Sequence, residues 1–248
     1  AISKAAADTL KKVHLELGGK GANLVFDDAD EKAVKRGVLH MMQNTGQSCN
    51  APSRMLVQKG IYDRVVEEAA AVANKVEVGP ASQEGRHIGP VVNELQWTKI
   101  QDLIQKGIDE GARLVAGGTG RPDGLNKGYY VKPTIFADVT PEMRIAREEI
   151  FGPVLAVRRW SDETDMLAEV NGLDVGLTCA IWTRDLATAH RTAARVEAGF
   201  VWINEVGRHF LGAPFGGVKQ SGIGREEGIG ELLSFTHEKN VHINLSGQ

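Results

Sequence analysis

Apolar residues along the chain fall into two alternating patterns. Residues 13–17 alternate apolar and polar, residues 24–26 follow a turn containing Gly18, Gly19 and Gly21, and residues 55–57, 154–160, 179–183 and 200–203 are short apolar runs, all at the spacing of strands. Two more strand-like runs lie at 114–116 and 129–131. Between them the period changes. Val34, Val38, Leu39 and Met42 recur at helical spacing and predict a helix over residues 31–43, capped by Asp28 or Asp30 and broken by Gly46. The same period predicts helices over 62–76, over 93–110 with a stop at Gly111, over 162–171 and over 185–196. Residues 117–127, rich in glycine and charge, predict a surface loop.

Strands alternating with helices of this length imply right-handed crossovers and a mainly parallel sheet with helices on both faces. The fold class is therefore α/β. Beyond Leu211 the period dissolves into Gly-Ala-Pro-Phe-Gly-Gly, a short helical stretch and a polar-alternating run at 240–244 that predicts an edge strand. The sequence holds no internal repeat and no low-complexity segment.

Composition narrows the partners. A chain of 248 residues, 42% apolar, can build one or two globular domains. A formal net charge of −3 and a pI near 6.2 give no basic footprint, which argues against nucleic acid or an anionic membrane and for a small-molecule partner. The two cysteines lie far apart and form no disulfide framework, so a reducing, cytoplasmic setting is expected. No apolar run approaches the ~18 residues of a membrane span, and residues 1–12 lack the order of a signal peptide. The chain starts with alanine, which raises the expectation that it is a piece of a longer protein.

Few residues carry candidate chemistry. Cys179 sits in the apolar run 177–182, as a packing residue would. Cys49 instead has Gly46, Gln47, Ser48 and Asn50 around it, on a loop, and Pro52 could open a helix whose N-terminal amides lower the thiol pKa and donate to an oxyanion. Glu16 has the pattern of a solvent-facing strand residue. The immediate Gly18-Gly19, however, ends the strand and lets another backbone or a ligand come close, at the kind of strand end where α/β sheets present catalytic side chains. The seven histidines show no ligand spacing, so no metal is expected. Gly118-Thr119-Gly120 is followed by Pro122 rather than a helix, which excludes a dinucleotide loop, and the Cys49 segment lacks the second glycine of a nucleophile elbow.

Four blocks resemble the aldehyde dehydrogenase family. Glu16-Leu17-Gly18-Gly19-Lys20 is similar to its glutamate signature, and Gly46-Gln47-Ser48-Cys49 with Ser53-Arg54 to its cysteine signature; Glu148 to Pro153 and Pro214 to Gly222 resemble two more of its blocks. The resemblance implies the catalytic domain of that fold over 19–220, a segment 1–18 leading in from a cofactor domain, and a segment 221–248 returning to the cofactor and oligomerisation region. It implies Cys49 as nucleophile and Glu16 as general base, passing through a thiohemiacetal and a thioester, with NAD or NADP as cofactor. Glu149 and Phe151 would contact ribose and nicotinamide, with Gln96 and Lys99 near the same ribose. Ser48, Asn50, His209 and Phe215 would line the aldehyde pocket, and the polarity of Glu205 and Arg208 hints at an aromatic or carboxylated aldehyde. A homo-oligomer, dimer or tetramer, is implied for the complete protein. The family's dinucleotide-binding domain precedes these blocks and is not among the 248 residues, so the isolated chain is expected to be inactive as a dehydrogenase. Two other readings stand beside this one. A cysteine ester or thioester hydrolase would cleave esters without cofactor, and an assembly module pairing through 238–245 would associate without turnover.

Overall fold

The computed structural model describes residues 1–247; the final residue of the expected C-terminal segment, Gln248, lies outside them. The strands are β1 (Leu15–Glu16), β2 (Ala22–Val25), β3 (Arg54–Gln58), β4 (Arg113–Ala116), β5 (Thr134–Ala137), β6 (Val154–Trp160), β7 (Val175–Gly176), β8 (Thr178–Trp182), β9 (Phe200–Ile203), β10 (Val218–Lys219) and β11 (Gly222–Ile223). The helices are α1 (Ile2–Ala7), α2 (Ala33–Met42), α3 (Tyr62–Ala73), α4 (Glu94–Asp109), α5 (Arg144–Arg147), α6 (Glu163–Asn171), α7 (Leu186–Arg195) and α8 (Ile229–Ser234).

Seven strands form one sheet in the order β4-β5-β6-β3-β2-β8-β9. All neighbours are parallel except the edge pair β4 and β5. Side chains alternate between its faces, as the pleat requires. Val25, Met55, Val57, Ala180 and Trp182 pack on α2 and α3, while Leu24, Leu56 and Ile181 pack on Met166, Leu167 and Val170 of α6. A third cluster sets Ile100, Leu103 and Ile104 of α4 against Phe136, Val154 and Ala156. The sheet is thus covered on both faces, as its near-continuous apolar strands demand. Burial of each large side chain supplies about 1.5–3 kcal/mol.

Helix limits follow local chemistry. Asn93, Asp162 and Asp185 accept from backbone amides in the first turns of α4, α6 and α7, and Gly111 ends α4 at φ +91°. Helix α2 departs from expectation, because its N-cap is Lys32 with no side-chain bond. Asp30 caps only the preceding turn, and Asp28 instead accepts from Thr183, Arg184 and Asp185. Residues 129–131 form no strand: they run between Gly128 at φ +87° and Pro133, and the strand begins at Thr134. Residues 240–244 form none either, being exposed and lacking a ladder partner among the described residues.

Candidate active site

The loops that enter β2, β3 and β6 meet at the amino-terminal edge of the parallel strands. Strand ends were expected to present the site. This edge suits it because amides entering a strand are not yet bound in the ladder and remain free to donate. Gly19 N–H donates to Glu149 Oε1 at 3.0 Å, and the amides of Cys49 and Asn50 face the Cys49 sulfur.

The glycine pair works by close approach. A Cβ on Gly19 would stand 2.6 Å from the Cys49 carbonyl oxygen, and one on Gly18 would stand 2.3 Å from Glu149 Oε2. At Gly19 no side chain fits against the Cys49 backbone, whereas at Gly18 the crowding comes from the movable Glu149 carboxylate. Glu16 lies outside the main sheet on β1, which pairs antiparallel with β11 and so brings residues 222–223 beside it. From there Glu16 Oε2 accepts from Cys49 Sγ at 3.8 Å, while its Oε1 is buried with no hydrogen-bond partner among the described residues.

The electrostatics correct one expectation. Pro52 opens no helix; residues 54–58 are β3, locked between β2 and β6. Burial pushes the Cys49 thiol up, and the charge and hydrogen bond of Glu16 push it further, against the two backbone amides. The Glu16 carboxyl is also raised, first by burial and then by Glu226. At rest the pair therefore holds its proton on sulfur, and a carboxylate waits to receive it. Cys179 is 1% exposed and its thiol is pushed up to about 12 by burial, as befits a packing residue.

The cofactor candidates are arranged around a sharp turn. Phe151 adopts φ +57°, a strained value for an aromatic residue. Gln96 Nε2 donates to the carbonyls of Ile150 and Phe151 at 3.0 and 2.9 Å, and Lys99 Nζ donates to that of Glu149 at 2.9 Å. Gln96 and Lys99 were expected near a ribose; here their donors are engaged in holding the 149–151 backbone. On the other side of Cys49, Ser48, Asn50 and His209 are joined by hydrogen bonds, and Phe215 packs on His209 with ring centroids 4.6 Å apart. Glu205 pairs with Arg36, away from this cluster. Hollows of about 730 and 690 Å³, one beside His87 and Lys132 and the other beside Leu39 and Arg86, share no residue with the Cys49 cluster.

Two residues escaped the sequence reading. Lys20 is 2% exposed, its Nζ has no hydrogen-bond partner among the described residues, and burial together with Arg54 lowers its amine to about 7. A charge lodged between glycines ahead of an apolar strand was the available signal. Glu227, bonded to His209 Nδ1 at 2.8 Å, gave no such signal.

The fold and this cluster define an α/β protein built around a thiol–carboxylate pair. The chain belongs to the aldehyde dehydrogenase family: the profile described as "Aldehyde dehydrogenase family" matches residues 1–241. It is 49% identical to the 3-succinoylsemialdehyde-pyridine dehydrogenase of a Pseudomonas species, over 97% of this chain and 50% of that protein. It superposes on the crystal structure of an aldehyde dehydrogenase from Bartonella henselae with a TM-score of 0.92 at 54% identity, covering 94% of this chain and 49% of the other. The NAD+ complex of an aldehyde dehydrogenase from Bacillus cereus gives a TM-score of 0.93 at 41% identity, covering 98% and 49%. The chain spans about half the length of the relatives it matches. No described helix is long and apolar enough to cross a membrane.

Proposed function

We propose that the complete protein oxidises an aldehyde to a carboxylic acid with NAD, using Cys49 as nucleophile and Glu16 as base. The observation that carries this reading is the Cys49 Sγ to Glu16 Oε2 contact at 3.8 Å, with a second carboxylate oxygen left without a partner. Glu16 draws the proton from sulfur as Cys49 attacks the aldehyde carbon, and the Cys49 and Asn50 amides are placed to donate to the oxyanion that forms. When bound, a nicotinamide cofactor supplies the hydride acceptor. The acyl group then remains on Cys49 as a thioester. Glu16, once it has given the first proton up to solvent, takes a proton from a water that attacks the thioester carbonyl and returns it to the departing sulfur as the acid leaves.

The residues present fit one end of that cofactor. Glu149 offers a carboxylate beside two glycines, an acceptor suited to the hydroxyls of a sugar diol, and Phe151 offers a fixed aromatic face. NAD rather than NADP is favoured by the NAD+ complex of the Bacillus cereus relative. In this reading residues 19–220 are the catalytic domain, and the pairing of β1 with β11 supports segments 1–18 and 221–248 leaving it together. Ser48, Asn50, His209 and Phe215 line the aldehyde's side. Exposed Leu232, Leu233, Phe235, Val241 and Ile243 favour a homo-oligomer, dimer or tetramer, and the two free thiols go with a reducing, cytoplasmic setting.

The test is aldehyde-dependent NADH formation by the complete protein and by its Cys49→Ser form. The reading expects turnover in the first and a loss of at least about a thousandfold in the second. Comparable rates in both would overturn it.

A further inference from the structure

A second chain of hydrogen bonds runs away from Cys49 through residues placed above beside the aldehyde, and no step of the reaction yet uses the bonds between their side chains. Ser48 Oγ donates to Asn50 Oδ1 at 3.0 Å, and Asn50 Nδ2 meets His209 Nε2 at 2.9 Å. His209 Nδ1 in turn meets Glu227 Oε1 at 2.8 Å. An amide nitrogen can only donate, so Nε2 is the acceptor and the ring proton sits on Nδ1, where it donates to the Glu227 carboxylate. The ring is fixed in orientation as well. It stacks on Phe200 at 5.6 Å with planes 11° apart and packs against Phe215. Glu227 is itself held at φ +63°, with its amide donating to Glu231 Oε2 at 2.7 Å and its carbonyl accepting from Gly212 N at 2.8 Å. Such a strained position persists only where its surroundings over-determine it.

We infer that His209 is a positioning residue for the Cys49 loop: with its proton held on Nδ1 by Glu227, it accepts from the Asn50 side chain and keeps the Cys49 and Asn50 amides facing the sulfur. The inference rests on the reading of Cys49 as nucleophile. Asn50 is gripped three times. Its side chain donates to His209 and accepts from the Ser48 hydroxyl, and its carbonyl accepts from Thr178 Oγ1 at 3.2 Å. Its own amide is one of the two that stabilise the thiolate. Without the His209 contact the side chain keeps only the rotatable Ser48 hydroxyl, and the amide loses its fixed aim.

The test uses the complete protein and two readouts, steady-state turnover and the rate at which iodoacetamide alkylates Cys49, followed by peptide mass mapping. Alkylation needs neither aldehyde nor cofactor. His209→Phe keeps the ring packing and removes the acceptor, His209→Gln restores an acceptor, and Asn50→Ala removes the donor. His209→Phe and Asn50→Ala are each expected to slow both alkylation and kcat about tenfold, equivalent to about 1.4 kcal/mol, with KM changed less than about twofold. The double variant is expected to be no slower than either single one, and His209→Gln to recover most of the loss. The proposal is overturned by wild-type alkylation in His209→Phe, by losses that multiply to about a hundredfold in the double variant, or by a raised KM with kcat intact. If His209→Phe melts out by circular dichroism, Asn50→Ala and His209→Gln decide alone: the first must be slow and the second near wild type. Failure of the nucleophile reading shows separately, as turnover surviving in Cys49→Ser.

Discussion

Gly19→Ala is the smallest change that presses on the backbone of Cys49. The new methyl would stand 2.6 Å from the Cys49 carbonyl oxygen and 3.1 Å from Leu177 Cβ, where ordinary contact begins at 3.4 Å. One side must therefore retreat by about 0.8 Å. Gly19 has little room to yield, since its amide is bonded to Glu149 at 3.0 Å and Leu177 closes the other flank. The oxygen belongs to a loop that runs directly into β3, so the displacement falls on Cys49. Overpacking of this kind costs about 1–3 kcal/mol of stability, and a misplacement near 1 Å at the reacting atom costs on the order of a hundredfold in rate. Turnover of the complete protein should fall about 30- to 100-fold, and the urea midpoint should drop by the equivalent of about 2 kcal/mol. Gly60→Ala is the control, because a Cβ there meets nothing within 4 Å, and it should change stability by less than about 0.5 kcal/mol. A Gly19→Ala variant indistinguishable from this control would refute the claim that the close approach of Gly19 sets the position of Cys49.

Three further outcomes follow from the same geometry. Because the Glu16 carboxyl is raised by burial and by Glu226, it reaches its basic form at a higher pH than an ordinary carboxylate. Thioester hydrolysis should fail on acidification nearer neutrality, and a pre-steady-state profile of Glu16→Gln should lack that limb. Lys20 titrates at about 7 in the folded chain against 10.5 unfolded, so its burden on stability grows as pH falls from 10.5 to 7 and is full below. Lys20→Met should stabilise the fold at pH 6, by on the order of 5 kcal/mol at most, and by progressively less toward pH 10; a gain independent of pH in urea titrations would contradict this. Iodoacetamide should label Cys49 well ahead of Cys179, which is 1% exposed with its thiol pushed to about 12, and equal labelling in the native protein would contradict the contrast between them.

Much of the sheet was legible because its strands are buried on both faces and read as apolar runs between helices of clear period. Strand β5 was displaced in the reading by its neighbour: residues 129–131 are as apolar, but only beyond Pro133 can the backbone enter the ladder. The two-residue strands β1, β7, β10 and β11 carry no period long enough to read, yet the β1–β11 pair is what brings Glu16 to Cys49. Cys49 and the Gly18-Gly19 pair stood out because each broke its local pattern, and Glu16, which fits a solvent-facing strand position, stood out only through the glycines that follow it. A helix after Pro52 was a sound local inference that lost to the sheet, since residues 54–58 complete ladders on both sides. The Asn50, His209 and Glu227 contacts were out of reach, because they join positions 159 and 18 residues apart through a backbone angle no propensity favours.

The central claim is that Cys49 carries the acyl group and Glu16 activates the water that removes it. Glu16→Gln in the complete protein, given an aldehyde and NAD, should form the thioester more slowly, since the thiol must then lose its proton to solvent, but should slow hydrolysis far more, because water is a much weaker nucleophile than a thiol, so the thioester accumulates. Rapid acid quench followed by peptide mass mapping reads it directly. The account predicts the mass of the acyl group on the peptide containing Cys49, absent when Cys49 is replaced by serine. An acyl group on any other residue, or burst product with no adduct on Cys49, would contradict it.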